Sequence, residues 1–414
     1  MKNNEIVTEF LLGWTFLLII FFFIFIWTKK YPQTKNFLLV AFLLRAIFVI
    51  LDSYELISLP GSNGDDDTFE RHARKFSNNY GLLIILDFFK LDSLLLPRII
   101  SVFYTIFGES KMMAQSISVA MGTASVYLVY VLSTMIWDHR AAKKAAWFSA
   151  LFPSLILYSC LTLREVYICF FLLLGLISIL KYIKNKNTIS FLKTLIFFYI
   201  LAFFHGGASF GVFIFLIYVL FTSIKKQMVN LINFKINIFL LFIIFISFLP
   251  LILFATNNLS IPYLTTIYDL DSILTKANIA LVRLDANSEY PSWMIINNSY
   301  ELIPKIILKT IYFVYSPFVW DIKTFFHIIG FIDGIFYLVL TIYLIKNRKV
   351  IWANPITRIL IIIFLSYVII HGLGVGNFGT AVRHRSKFVV IMIVLAAPML
   401  HKFIFSLQKK TFKK

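Results

Sequence analysis

The chain has 414 residues, 60% of them hydrophobic and only 14% charged, with a formal net charge of +19 and a mean hydropathy of +0.85. A soluble domain carries roughly 25% charged residues, so this composition excludes an ordinary soluble enzyme and points to a polytopic membrane protein. The 46 phenylalanines fall in continuous apolar runs, which fits membrane helices and excludes the alternation of a membrane barrel.

The excess of positive charge does not imply nucleic acid as a partner. Lysines and arginines gather in short loops between apolar runs, where they set orientation and meet anionic lipid headgroups. Cys160 and Cys169 lie in or beside apolar runs with no CxxC pair, so free core thiols are expected and neither a disulfide framework nor a metal centre is indicated. The first apolar run lacks a small-residue cleavage site and reads as a retained helix.

A span takes ~20 apolar residues. Runs near that length occur at about 10–28, 37–57, 112–136, 145–161, 165–183, 190–204, 207–224, 235–255, 326–345, 356–371 and 387–404. These predict an all-α membrane protein of about 11 spans, within 10–12, forming one domain over 1–414. Basic residues recur in alternate loops: Lys29, Lys30 and Lys35; Arg140, Lys143 and Lys144; Lys181, Lys184, Lys186 and Lys193; Lys225, Lys226 and Lys235; Lys346, Arg348 and Lys349; and the Lys-rich tail. By the positive-inside rule these loops and the C-terminus are cytoplasmic. The complementary loops, 58–111, 161–165, 205–207, 256–325 and 372–386, then share the outer side. Within the two long ones, 93–107 and 302–320 read as short interfacial helices.

Chemistry concentrates on that outer side. Asp65, Asp66 and Asp67 follow a Gly-rich turn; three adjacent carboxylates repel one another, which favours a raised pKa on one of them or a bound divalent cation. An exposed acidic turn, or capping of a helix begun at Thr68, is the ordinary reading of such a run. Its place on the outer face of an otherwise apolar protein favours a catalytic carboxylate. Arg71 and Arg74 follow at i, i+3 and either neutralise the triplet or hold phosphate, while His72 is read as a surface residue. Arg164 sits at a span end beside Glu165, where an arginine needs a partner: Glu165 or a backbone carbonyl in the ordinary reading, a lipid (pyro)phosphate in the functional one. Arg45 and Asp52 read as a buried pair within the second span. His205 precedes two glycines at a tight turn, and Arg383, His384 and Arg385 open the last span, where arginine forks suit phosphate oxygens. No Walker loop, GxGxxG or HExxH motif occurs, so neither nucleotide use nor a motif-borne metal site is expected.

Several stretches in order, Asp65-Asp66-Asp67-Thr68-Phe69-Glu70-Arg71-His72-Ala73, Phe107-Gly108-Glu109-Ser110, Ala114-Gln115-Ser116-Ile117, Arg140-Ala141-Ala142, Ala150-Leu151-Phe152-Pro153-Ser154, Leu163-Arg164-Glu165 and Arg383-His384-Arg385, make the chain resemble the GT-C superfamily of bacterial integral-membrane glycosyltransferases. The resemblance covers about 60–170 and 375–395. It implies a GT-C-like fold in the bacterial inner membrane, a polyprenyl-phosphate- or diphosphate-linked sugar or oligosaccharide as substrate, and a periplasmic site. One of Asp65–Asp67 would act as base or position the acceptor. Arg164, Arg383 and Arg71 or Arg74 would hold lipid phosphate, with His205, His384 and Arg385 as further candidates. The span before the Asp loop and the lack of a sizeable soluble C-terminal domain depart from that pattern. Repeat-unit polymerases of O-antigen or capsule share the general look, with a flippase and a chain-length regulator as expected partners. A single-sugar transferase and, in another class, a polysaccharide flippase are the competing readings.

Overall fold

The computed structural model describes residues 2–62, 64–90, 92–232, 238, 241–245, 247 and 288–411. The helices are α1 (Lys2–Lys30), α2 (Lys35–Ser53), α3 (Asp65–Tyr80), α4 (Leu95–Phe107), α5 (Lys111–Ile136), α6 (His139–Leu151), α7 (Pro153–Leu157), α8 (Glu165–Asn185), α9 (Thr188–Phe204) and α10 (Phe210–Ile232). After the part outside the described residues come α11 (Leu302–Tyr315), α12 (Phe325–Lys346), α13 (Arg348–Ala353), α14 (Pro355–Gly374), α15 (Phe378–Ser386) and α16 (Val389–Thr411). No strand occurs among the described residues, and one isolated antiparallel bridge joins Glu289 to Asn377.

Seven of these helices are long and apolar enough to cross a membrane: Val7–Lys30, Pro32–Ser53, Lys111–Ile136, Glu165–Asn185, Gly206–Ile232, His327–Lys346 and Pro355–Gly374. They coincide with seven of the expected runs. The runs at 190–204 and 387–404 correspond to the shorter apolar helices Thr188–Phe204 and Val389–Leu400, and the run at 235–255 lies largely outside the described residues. The expected interfacial segments at 93–107 and 302–320 contain α4 and α11. α8 is the centre of the bundle, with 72% of its apolar window buried against 11% for α1. α1 turns Leu11, Leu18, Phe22 and Phe23 outward, a face suited to lipid.

The run at 145–161 is not a continuous span. Phe152 is extended, Pro153 starts α7, and α7 ends after five residues. The physical cause is proline: it disfavours helical geometry in the residue before it and is at home at a first helical position. The broken ladder leaves carbonyls without helical partners, and Arg45 supplies donors. Its guanidinium reaches Ala150 O at 3.3 Å, Leu155 O at 3.4 Å and Ser159 Oγ at 2.8 Å. Gly122 makes room for this, since a Cβ there would lie 2.5 Å from Ser159 Cβ. Arg45 is therefore not the partner of Asp52, which accepts from Gln115 Nε2 at 2.8 Å instead.

A second buried guanidinium ties the C-terminal third together. Arg385 donates to Asp333 Oδ2 at 3.1 Å and to the carbonyls of Val314 and Ser316 at 2.9 and 2.6 Å. Asp333 in turn accepts from Ser154 N at 3.2 Å, so α7, α11, α12 and α15 meet at one ion pair. Removing one partner of such a pair strands a buried charge, at a cost of about 3–5 kcal/mol. Arg385→Ala is expected to lower the unfolding temperature in detergent by several degrees, with Asp333→Ala similar. An unchanged midpoint in either variant would show that the pair does not hold these helices.

Candidate functional site

α3 is built so that its first turn joins two charged clusters. Gly61 adopts φ +98°, a left-handed conformation that favours glycine, and turns the chain toward Gly64, the residue preceding the helix. The helix begins at Asp65 and not at Thr68, so all three aspartates lie in its first turn, where the helix dipole favours negative charge. The buried residues of α3 are Asp66, Phe69, Glu70 and Ala73, which follow the i, i+3, i+4, i+7 spacing of a single helix face. Two carboxylates thus point inward with the apolar residues.

The inner cluster lies beneath that face. Asp66 is fully buried and accepts from Gly64 N at 3.0 Å through Oδ1; its Oδ2 has no partner among the described residues. Glu70 accepts from Thr162 Oγ1 at 2.7 Å and lies 3.9 Å from Arg74, which also reaches Glu109 at 3.6 Å. Lys111 enters from the start of α5, 3.9 Å from Asp52 and 3.8 Å from Asp67. Burial raises Asp66 above the usual carboxylate range despite the hydrogen bond from Gly64. Glu70 is pushed up from 4.5 to about 7, chiefly by burial, against the Thr162 hydrogen bond and the attraction of Lys111.

The outer cluster runs from Asp65 into the bundle. Asp65, 57% exposed, pairs with Arg383 Nη1. The Nε of Arg383 lies 2.8 Å from Glu165, which is 1% exposed. Lys387 is 3.4 Å from the same carboxylate oxygen. Arg383 and Lys387 are four residues apart, so they share one side of the turn. Lys387 Nζ is 3.1 Å from His384 Nδ1, and His384 Nδ1 is 3.3 Å from His371 Nδ1. His205 completes a trio of rings, with centroids 5.4 Å from both His371 and His384. Burial first, then the Lys387 ammonium, pushes His205 and His384 well below the usual histidine value, so both imidazoles are neutral at pH 7. Arg164 flanks them, donating to Phe204 O at 3.3 Å and lying 5.7 Å from the Phe69 ring.

The structure therefore brings Asp65, Arg164, His205, Arg383 and His384 together from four separate parts of the chain. It does not bring in Arg385, whose donors are taken by Asp333 and carbonyls. Arg71 is exposed and folds back onto Asp67 O and Thr68 Oγ1, on another side of α3 with Arg74. His72 is half-buried beside Phe76. Compared with protein-family models and with curated proteins, the chain matches none. Sequence reasoning missed His371, Lys111 and Glu70 as members of the site. For His371 the available signal was an ionisable residue within an apolar run.

The carboxylates of the first turn already have protein partners: Asp65 has Arg383, Asp67 has Lys111, and Asp66 has Gly64 N. Among the described residues no three His, Cys, Asp or Glu side chains are arranged to hold a metal ion.

Because Glu70 holds its proton more tightly when folded, the folded state keeps a proton that the unfolded chain gives up as pH rises past 4.5. Its stabilising contribution is complete below that value and is lost as pH rises through about 7. Unfolding temperature is thus expected to fall with rising pH across this window, and Glu70→Gln to flatten that slope. An identical pH profile in the variant would show that Glu70 is not the titrating group.

Proposed function

We propose that the chain is a membrane-embedded transferase of surface-polysaccharide assembly. It would take saccharide from a polyprenyl-(di)phosphate on the outer face of a bacterial inner membrane. The observation that carries this is the ion pair between Asp65 and Arg383, which sets an exposed carboxylate beside a cationic group that includes Arg164 and Lys387.

In this reading Asp65 accepts the proton of an acceptor hydroxyl as that oxygen bonds to the anomeric carbon of the donor. The bond from that carbon to the phosphate oxygen breaks, and the lipid (di)phosphate leaves as an anion. Arg383 and Arg164 neutralise the developing charge, arginine forks being matched to phosphate oxygens. Asp66 is too buried to meet substrate and holds the first turn through Gly64. Neutral His205 and His384 line the inner side and offer hydrogen bonds without adding charge.

The repeat-unit polymerase is the specific form that the charges favour. Arg164 and Arg383 lie on one side of the α3 first turn, and Arg71 and Arg74 lie on another, with Arg74 47% exposed. Two cationic edges around one base suit two phosphate-linked oligosaccharides. A single-sugar transferase is distinguished by its product.

Asp65→Asn and Arg383→Ala are each expected to cut the transfer rate roughly 10²–10⁴-fold, the usual effect of losing a general base or a charge clamp. Surface polysaccharide resolved by length gives the readout. Loss of long chains with one repeat unit left on the lipid supports the polymerase, and loss of the repeat unit itself supports single-sugar transfer. Wild-type chains in both variants would refute the transferase site.

A further inference from the structure

Lys111 stands where helix energetics disfavour a cation. It is the first residue of α5, directly after the capping Ser110, whose Oγ accepts from Met113 N at 3.1 Å. The partial positive charge of a helix N-terminus repels an ammonium there, and this side chain is only 22% exposed. What offsets both costs is acidic. Asp52 and Asp67 lie 3.9 and 3.8 Å from Nζ, and Asp66 and Glu70 are within electrostatic reach. Gln115, one turn along, holds Asp52 by its other function, an amide donating at 2.8 Å. One carboxylate from α2 and one from α3 thus lie within 4 Å of one ammonium from α5, with two more in electrostatic reach.

We propose that Lys111 is the resident cation of this carboxylate nest, a positioning residue that bridges Asp52 of α2 to Asp67 of α3 and so holds the first turn of α3 without a divalent ion. An ammonium has three donors and one charge, and tolerates long, varied contacts. A magnesium ion in its place would demand near-octahedral oxygen ligands at about 2.0–2.1 Å. Here the lysine ammonium already stands beside both Asp52 and Asp67. The proposal takes from the transferase reading only the role of α3 as the reactive loop; the identity of the cation stands or falls by a binding measurement that needs no substrate.

Full-length protein purified in detergent is heated with EDTA, then with millimolar MgCl2 or MnCl2, and unfolding is followed by tryptophan fluorescence. Wild type and Lys111→Arg are expected to unfold at the same temperature in all three conditions. Lys111→Ala is expected to lose several degrees in EDTA and to regain them saturably with Mn2+, and adding Asp67→Asn to remove that regain. Should the alanine variant not yield folded protein, Lys111→Met, which keeps the stem length, takes its place beside the wild-type EDTA arm. A wild type that loses several degrees in EDTA and recovers with Mg2+ would overturn the proposal. So would a Lys111→Ala protein indifferent to both ions. Neither outcome depends on whether the chain transfers sugar.

Discussion

Glu165 is a carboxylate that never meets water, and a charge taken out of water must be paired closely or not exist. It stands at the first turn of α8, the most enclosed of the seven span-length helices, with Arg383 and Lys387 against one of its oxygens. Through Arg383 the same constraint extends to Asp65, so the position of an exposed residue on α3 is set by a buried one on α8 and a bridge from α15. The proline break after Phe152 belongs to this arrangement. It ends a helix short, turns the chain through 158–164, and delivers Arg164 and Glu165 to the level of the α3 first turn. Arg45 and Arg385 then satisfy the backbone carbonyls and carboxylate of neighbouring helices from inside.

The two clusters beneath and beside α3 differ in character. Below, Asp66 and Glu70 are enclosed, raised in pKa and held with a lysine. Beside, Asp65 is open to solvent and backed by arginine. Similar side chains one residue apart thereby sit in different environments, one enclosed and one open. That division follows from helix geometry, since neighbours on a helix point about 100° apart.

Much of this was legible in the sequence, for identifiable reasons. Carboxylates and arginines stand out against apolar runs, and the alternation of basic loops placed Asp65, Arg164, His205 and Arg383 on a common side. Other features were hidden. Arg383 and Arg385 read as one cluster, yet two residues on a helix differ by about 200°, so one faces the site and the other Asp333. Pro153 marked the interruption of the run at 145–161, but apolar content over that length outweighed it. Asp52 was seven residues from Arg45 and suggested a pair; which cation it meets was decided by α5. His371 and Asp333 lie in apolar runs long enough to cover them, and their pairing partners are distant in sequence.

The dependence of the α3 first turn on α15 is the claim on which the functional reading rests. It is measured most directly by thiol cross-linking. With Cys160 and Cys169 buried, cysteines are placed at Asp65 and Arg383, and in a control at His72 and Arg383, and treated with a short thiol-to-thiol linker in membranes. Efficient bridging of the 65/383 pair with little bridging of 72/383 is the expected result. Equal bridging of both pairs, or none of 65/383, would contradict the joining of the acidic turn to the C-terminal arginine.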